Sequence, residues 1–218
     1  MKKIMKTWAL VAAAAMGVVA CQKEIQDDVK IKGETVTITF VEQSPDTKTS
    51  VDTSGEKPVF SWNEAETFAV LEQTDALAEA TSVAFAKVDG KANITAEFAT
   101  NPGKASYDYV TIYPESAYVS ATGLGAATLS LPAVQTMAEG SYDPNADLMV
   151  SEVVSAKAQP TEAQMVRFTR MAAVVKMSLK NFALEAGDQV EQVIFSAEGK
   201  SLAGEVATNL SDPHKFTV

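Results

Sequence analysis

The chain has 218 residues, with 18 basic side chains against 28 acidic ones and a net charge of −10 at pH 7. Such an acidic surface repels phosphate backbones and argues against nucleic acid as a partner. A single cysteine rules out an intrachain disulfide framework, so burial of an apolar core must supply the stability.

The first 20 residues read as a secretory signal. Lys2, Lys3 and Lys6 open it, an uncharged run from Trp8 to Ala20 follows, and small residues precede a cut site. The run is too short to span a bilayer, which needs about 20 apolar residues. The lone Cys21 sits where cleavage falls. The ending Val18-Val19-Ala20-Cys21 resembles the lipobox of bacterial lipoproteins, with Val18 in place of the usual leucine. That resemblance implies acylation of Cys21 and a membrane tether, since several acyl chains on one residue hold far better than one. An ordinary signal peptide with an incidental cysteine is the plainer alternative. The signal takes three lysines and no acid with it, so the remaining 198 residues carry −13 and form one large or two small domains.

Residues 21–34 are polar, charged and aperiodic, as a flexible linker is. Gln22-Lys23-Glu24 with Asp27-Asp28 partly resembles the surface-export signal of Bacteroidetes lipoproteins; a solvated linker explains the same residues.

The folded part is expected from residue 35. In residues 35–41 (TVTITFV), Val36, Ile38 and Phe40 share one face while Thr35, Thr37 and Thr39 share the other. Period two with β-branched residues predicts a strand with one buried side. Residues 43–57, rich in Ser, Thr, Asp, Gly and Pro, predict a loop. Short strands are predicted at 59–62 and 68–72, with Phe60 and Trp62 on one core-facing side. Residues 75–80 (DALAEA) predict one or two helical turns. Residues 82–88 and 93–98 flank Asp89-Gly90, a hairpin signal. Further strands are predicted at 106–113, 128–131, 147–151, 165–169, 172–179, 190–196 and 201–206. Many short strands punctuated by turns, without a long amphipathic helix, predict an all-β, two-sheet β-sandwich.

No constellation for catalysis stands out, and the chain is not expected to be an enzyme or to need a cofactor. A nucleophilic triad needs a base beside Ser or Cys, and the only histidine, His214, lies near the chain end. Asp143, Asn145 and Asp147 alternate as calcium-loop ligands do, but Pro144 follows Asp143 directly and neither the sharp-turn glycine nor the bidentate Glu is in place. A proline-centred turn fits better, and no metal site is expected. Gly123-Leu124-Gly125 opens no helix and reads as a connection, not a phosphate loop. Glu64 and Glu66 read as a chance pair in an acidic chain. Tyr107, Tyr109 and Tyr113 either cover a core edge or form a sugar-stacking surface.

An ordered series of short motifs resembles the fimbrillin-type lipoproteins of Bacteroidales. It comprises Trp62 with Phe68-Ala69-Val70, Tyr109-Val110-Thr111-Ile112-Tyr113-Pro114 and Leu131-Pro132-Ala133-Val134-Gln135. Tyr142-Asp143-Pro144-Asn145-Ala146-Asp147-Leu148-Met149 and Arg167-Phe168-Thr169-Arg170-Met171-Ala172-Ala173 follow. The resemblance implies a transthyretin-like sandwich over residues 35–210. It implies a structural or adhesive subunit of fimbriae at the outer-membrane surface, tethered through Cys21 and partnered by other fimbrial subunits and a host or bacterial receptor. It further implies that a protease removes the first strand, with Val36, Ile38 and Phe40, so that a neighbour's strand can replace it. The candidate cut is at Lys48. The family protease usually cuts at arginine, and the only arginines here, Arg167 and Arg170, fall within the predicted sandwich. Residues 214–218 read as the beginning of a further strand; the resemblance implies that residues 211–218 open a missing second domain, with a short relative of the family as the alternative. The alternative function is a surface lipoprotein that binds glycans without polymerising.

Overall fold

The computed structural model describes residues 34–43, 50–52, 59–62, 66–136, 142–173, 175, 185 and 188–212. Of 50–52 and 59–60 it describes the backbone alone. The signal, Cys21, most of the linker, Lys48, Glu64, His214, the side chain of Phe60 and residues 213–218 lie outside the described residues. Everything below belongs to the compact unit spanning Gly33–Val218.

Strands dominate. In chain order they are β1 (Thr35–Glu42), β2 (Ser50–Asp52), β3 (Val59–Ser61), β4 (Thr67–Gln73), β5 (Leu77–Val88), β6 (Lys91–Ala99) and β7 (Tyr107–Tyr113). Then come β8 (Tyr118–Gly123), β9 (Ala126–Leu131), β10 (Met149–Ser151), β11 (Val154–Ala156), β12 (Gln164–Val166), β13 (Phe168–Arg170) and β14 (Gly204–Thr208). Two single 3-10 turns, Glu115–Ala117 and Pro144–Ala146, are the helical elements among the described residues.

The fold is an all-β sandwich. Its largest sheet runs β12-β1-β6-β5-β4-β7-β10-β13, with β11 also on β7. The long strand β5 turns the corner. Its first part pairs with β4 (Gln73↔Leu77 to Thr67↔Ala84) and its last part with β6 (Phe85↔Ile94 to Val88↔Lys91). The two ends of the path, β12 and β13, are separated in sequence by Arg167 alone, so the sheet comes back on itself. Gln43 N donates to Val166 O at 2.8 Å on the β1 side of that bend, and Glu152 N to Arg167 O at 2.8 Å on the β10 side.

Inside this curl lies the first core: Ile38, Phe40, Trp62, Phe68, Val70, Ile94, Phe98, Tyr109, Tyr113 and Phe168 among others. Aromatic rings pack edge-on and tilted through it. Trp62 sits 5.4 Å from Tyr113, 5.5 Å from Phe68 and 5.7 Å from Phe85, spacings at which tilted ring pairs attract. A three-stranded sheet, β14-β9-β8, covers the outer face of β4 and β7. Ala69, Leu71, Val110, Ile112, Leu124, Leu129 and Leu210 form a second core there. Burial on both faces explains why β4 (TFAVLEQ) reads as an unbroken apolar run where β1 alternates.

Several expectations meet the structure directly. The Asp89-Gly90 hairpin is present, with Asp89 at φ 51° and Gly90 at φ 75°, the left-handed pair that a tight two-residue turn demands. Residues 75–80 are not helical: Leu77–Ala80 form the start of β5. Helix propensity is worth only a few tenths of a kcal/mol per residue, and four ladder positions against β4 outweigh it. Within the predicted 43–57 loop, β2 pairs with β3, Val51 opposite Phe60. Residues 190–196 form no strand: they pair with none of the described strands, and Ile194 and Phe195 stand 78% and 60% exposed. Residues 172, 173 and 175 are outside any strand, and the rest of 172–179 is outside the described residues.

Candidate strand-exchange site

The strand implied for exchange, β1, owes its place to its alternation. Its burial follows parity: Ile38 and Phe40 are buried and Val36 half-buried, while Thr35 and Thr37 face water. Against β6 it pairs over seven positions, Thr35↔Ala99 to Val41↔Asn93. On its other side β12 runs parallel and pairs only with Phe40, Val41 and Glu42. Among the described strands, residues 35–39 therefore form an open sheet edge and residues 40–42 an interior strand.

The groove floor under β1 is aromatic and apolar. Phe40 packs 5.6 Å from the Tyr109 ring, which lies 6.0 Å from Phe98. Tyr109 OH donates to Glu72 Oε2 at 2.7 Å, and Gln159 Nε2 donates to the same oxygen at 3.1 Å. Burial pushes the Tyr109 phenol well above its ordinary pKa, and the Glu72 carboxylate adds to the shift. Gln159 also donates to Ala99 O at 3.0 Å and accepts from Asn101 N at 2.9 Å, which ties the segment before β12 to the end of β6.

The inward parity of β1 continues one step further than expected, to Glu42, which is fully buried. Its Oε2 accepts from the Trp62 indole N–H at 2.6 Å and from Ala92 N at 3.3 Å. Sequence reasoning ended the strand at Val41 and missed this residue; the signal was the period of two carried on to position 42.

The tyrosines of β7 are not a sugar-stacking surface. Tyr107, Tyr109 and Tyr113 are 2%, 0% and 1% exposed, because they line the inner face of the curl. Tyr107 OH donates to Asn101 O at 2.5 Å. Asp143, Asn145 and Asp147 do not converge on one centre. Asp143 caps the Pro144–Ala146 turn, accepting from Asn145 N at 2.9 Å, and its other oxygen accepts from Thr136 N at 2.9 Å. Asp147 is buried and paired instead with Arg170: Nε donates to Oδ1 at 2.5 Å and Nη2 to Oδ2 at 2.9 Å. Tyr142 OH donates to Asp147 Oδ2 at 3.1 Å, and burial raises its pKa, with the Asp147 charge adding to the rise. Leu124, in the glycine-flanked connection between β8 and β9, is buried, and its carbonyl accepts from Leu210 N at 2.7 Å.

No protein-family model, curated protein or solved structure gives a significant match to this chain.

Proposed function

We propose that the protein is a non-enzymatic structural or adhesive subunit of cell-surface fimbriae, held at the outer membrane by lipid on Cys21 and assembled by exchange of strand β1. The reading starts from the fimbrillin-like series of motifs. The observation that supports it best is the placement of β1. It is the first of the described strands, its inner row fills an aromatic groove, and main-chain ladders hold it on both sides. A chain cut at Lys48 keeps the groove and frees the strand. Loss of β1 leaves unpaired N–H and C=O groups along β6, which a neighbour's strand satisfies. The glycan-binding alternative loses Tyr107, Tyr109 and Tyr113, which are buried.

One experiment reads both tether and exchange. The intact protein made in its secreting host should partition into detergent. After limited trypsin cleavage at Lys48, the N-terminal piece should stay in detergent while the remaining chain becomes aqueous and forms oligomers. An intact chain that is aqueous from the outset overturns the lipid tether. Resistance at Lys48 under saturating trypsin, or a body that stays monomeric after the cut, overturns assembly by exchange.

A further inference from the structure

The inner row of β1 is Val36, Ile38, Phe40 and Glu42: three apolar side chains and then a carboxylate. That carboxylate is buried among rings. Trp62, its 2.6 Å donor, contacts Phe68, Phe85, Tyr113 and Phe168, and both Trp62 and Ala92 are closed to water. Glu42 precedes Lys48 in the chain, whereas Trp62 and Ala92 follow it. A cut there puts the acceptor on the leaving strand and its donors on the body.

We infer that position 42 sets which strand the groove between β6 and β12 admits. The entering strand, from a neighbouring subunit, must carry large apolar side chains at three alternate positions and a hydrogen-bond acceptor at the fourth. This assignment rests on the strand-exchange reading above. Its physical basis is the asymmetry of buried hydrogen bonds. A strand with an apolar fourth side chain fills the space but leaves the indole N–H and the Ala92 N–H without that acceptor, and an orphaned buried donor costs more than a made bond returns. The same asymmetry lets a site built around a hydrogen bond reject analogues that lack the group. Position 42 also fixes register. A slip by one residue turns the whole row outward, and a slip by two that brings Phe40 to the place of Glu42 sets an apolar side chain against the two donors.

The test uses the whole chain cut at Lys48 and three synthetic peptides spanning residues 35–43, with Glu, Gln or Leu at position 42. Binding is followed by fluorescence anisotropy of the labelled peptide. The decisive comparison is Gln against Leu, because both are neutral and the cost of burying a carboxylate drops out. The Gln peptide should bind about tenfold or more tightly than the Leu peptide. In a Trp62→Phe chain, which lacks the indole donor, that preference should shrink to about threefold or less. A Leu peptide that binds the unsubstituted body as tightly as the Gln peptide overturns the assignment and leaves strand exchange standing. Uptake of none of the three overturns strand exchange, and the assignment with it.

Discussion

The consequence most open to measurement is the stability held in β1. Phe40 is fully buried and its ring meets Tyr109 at 5.6 Å. Phe40→Ala removes that ring from a packed core, which costs about 3–5 kcal/mol in transfer and cavity terms. For a folded unit of 150–250 residues, each kcal/mol moves the melting point by about 2–4 °C, so a fall of about 6–20 °C is expected. Thr37→Ala on the same strand faces water and should stay within about 0.5 kcal/mol. Val36→Ala, half-buried, should fall between them. Urea unfolding of the purified variants, followed by tryptophan fluorescence, reads all three. The midpoint should fall in the order Thr37, Val36, Phe40 with an unchanged slope. If Phe40→Ala shifts the midpoint no more than Thr37→Ala does, β1 is not part of the cooperative core. The groove would then hold too little free energy to drive exchange.

Two further outcomes follow from the buried polar groups. Arg170→Ala strands the buried Asp147 carboxylate and should cost about 3–5 kcal/mol by urea unfolding, while the paired change Asp147→Asn with Arg170→Met recovers most of it. Equal losses in the single and paired variants would show that the ion pair is not the source. Tyr109, Tyr118 and Tyr142 have phenols raised above the ordinary value, in each case first by burial. Their contribution is fully present below the unfolded value of about 10 and is lost as pH rises through the folded values, so stability should decline above about pH 10. Ultraviolet titration should show these phenolates forming together with unfolding; their titration near pH 10 in a still-folded protein would contradict it.

Much of the sandwich was legible because its signals are local. The alternation in residues 35–41 fixes which face of β1 is buried, and Asp89-Gly90 fixes a hairpin that needs two left-handed residues in a row. What stayed hidden depends on partners distant in sequence. Residues 75–80 carry helix-forming side chains, and only the neighbouring β4 makes them strand. The expected single strand at 165–169 is two, because Arg167 marks the bend where the chain leaves the parallel ladder with β1 for the antiparallel one with β10. The expected strand at 190–196 had the composition but finds no neighbour among the described strands. At the candidate site, Val36, Ile38 and Phe40 could be placed by parity alone. The Glu42–Trp62 bond could not, since nothing local says that a carboxylate in an acidic chain will be buried against an indole twenty positions on. The same holds for Asp147 and Arg170, 23 positions apart, which nothing local marks as each other's counter-ion.

The brevity of β12 has a mechanical corollary. Among the described strands its three rungs lean on β1 alone, and Arg167 hands the chain straight on to the wall built by β10 and β13. Drawing β1 out would therefore strip a lip as well as empty a slot, leaving β6 as a firm rim. A newcomer would lie first along that rim and then gather the loose one to itself, so docking and resealing would be one motion.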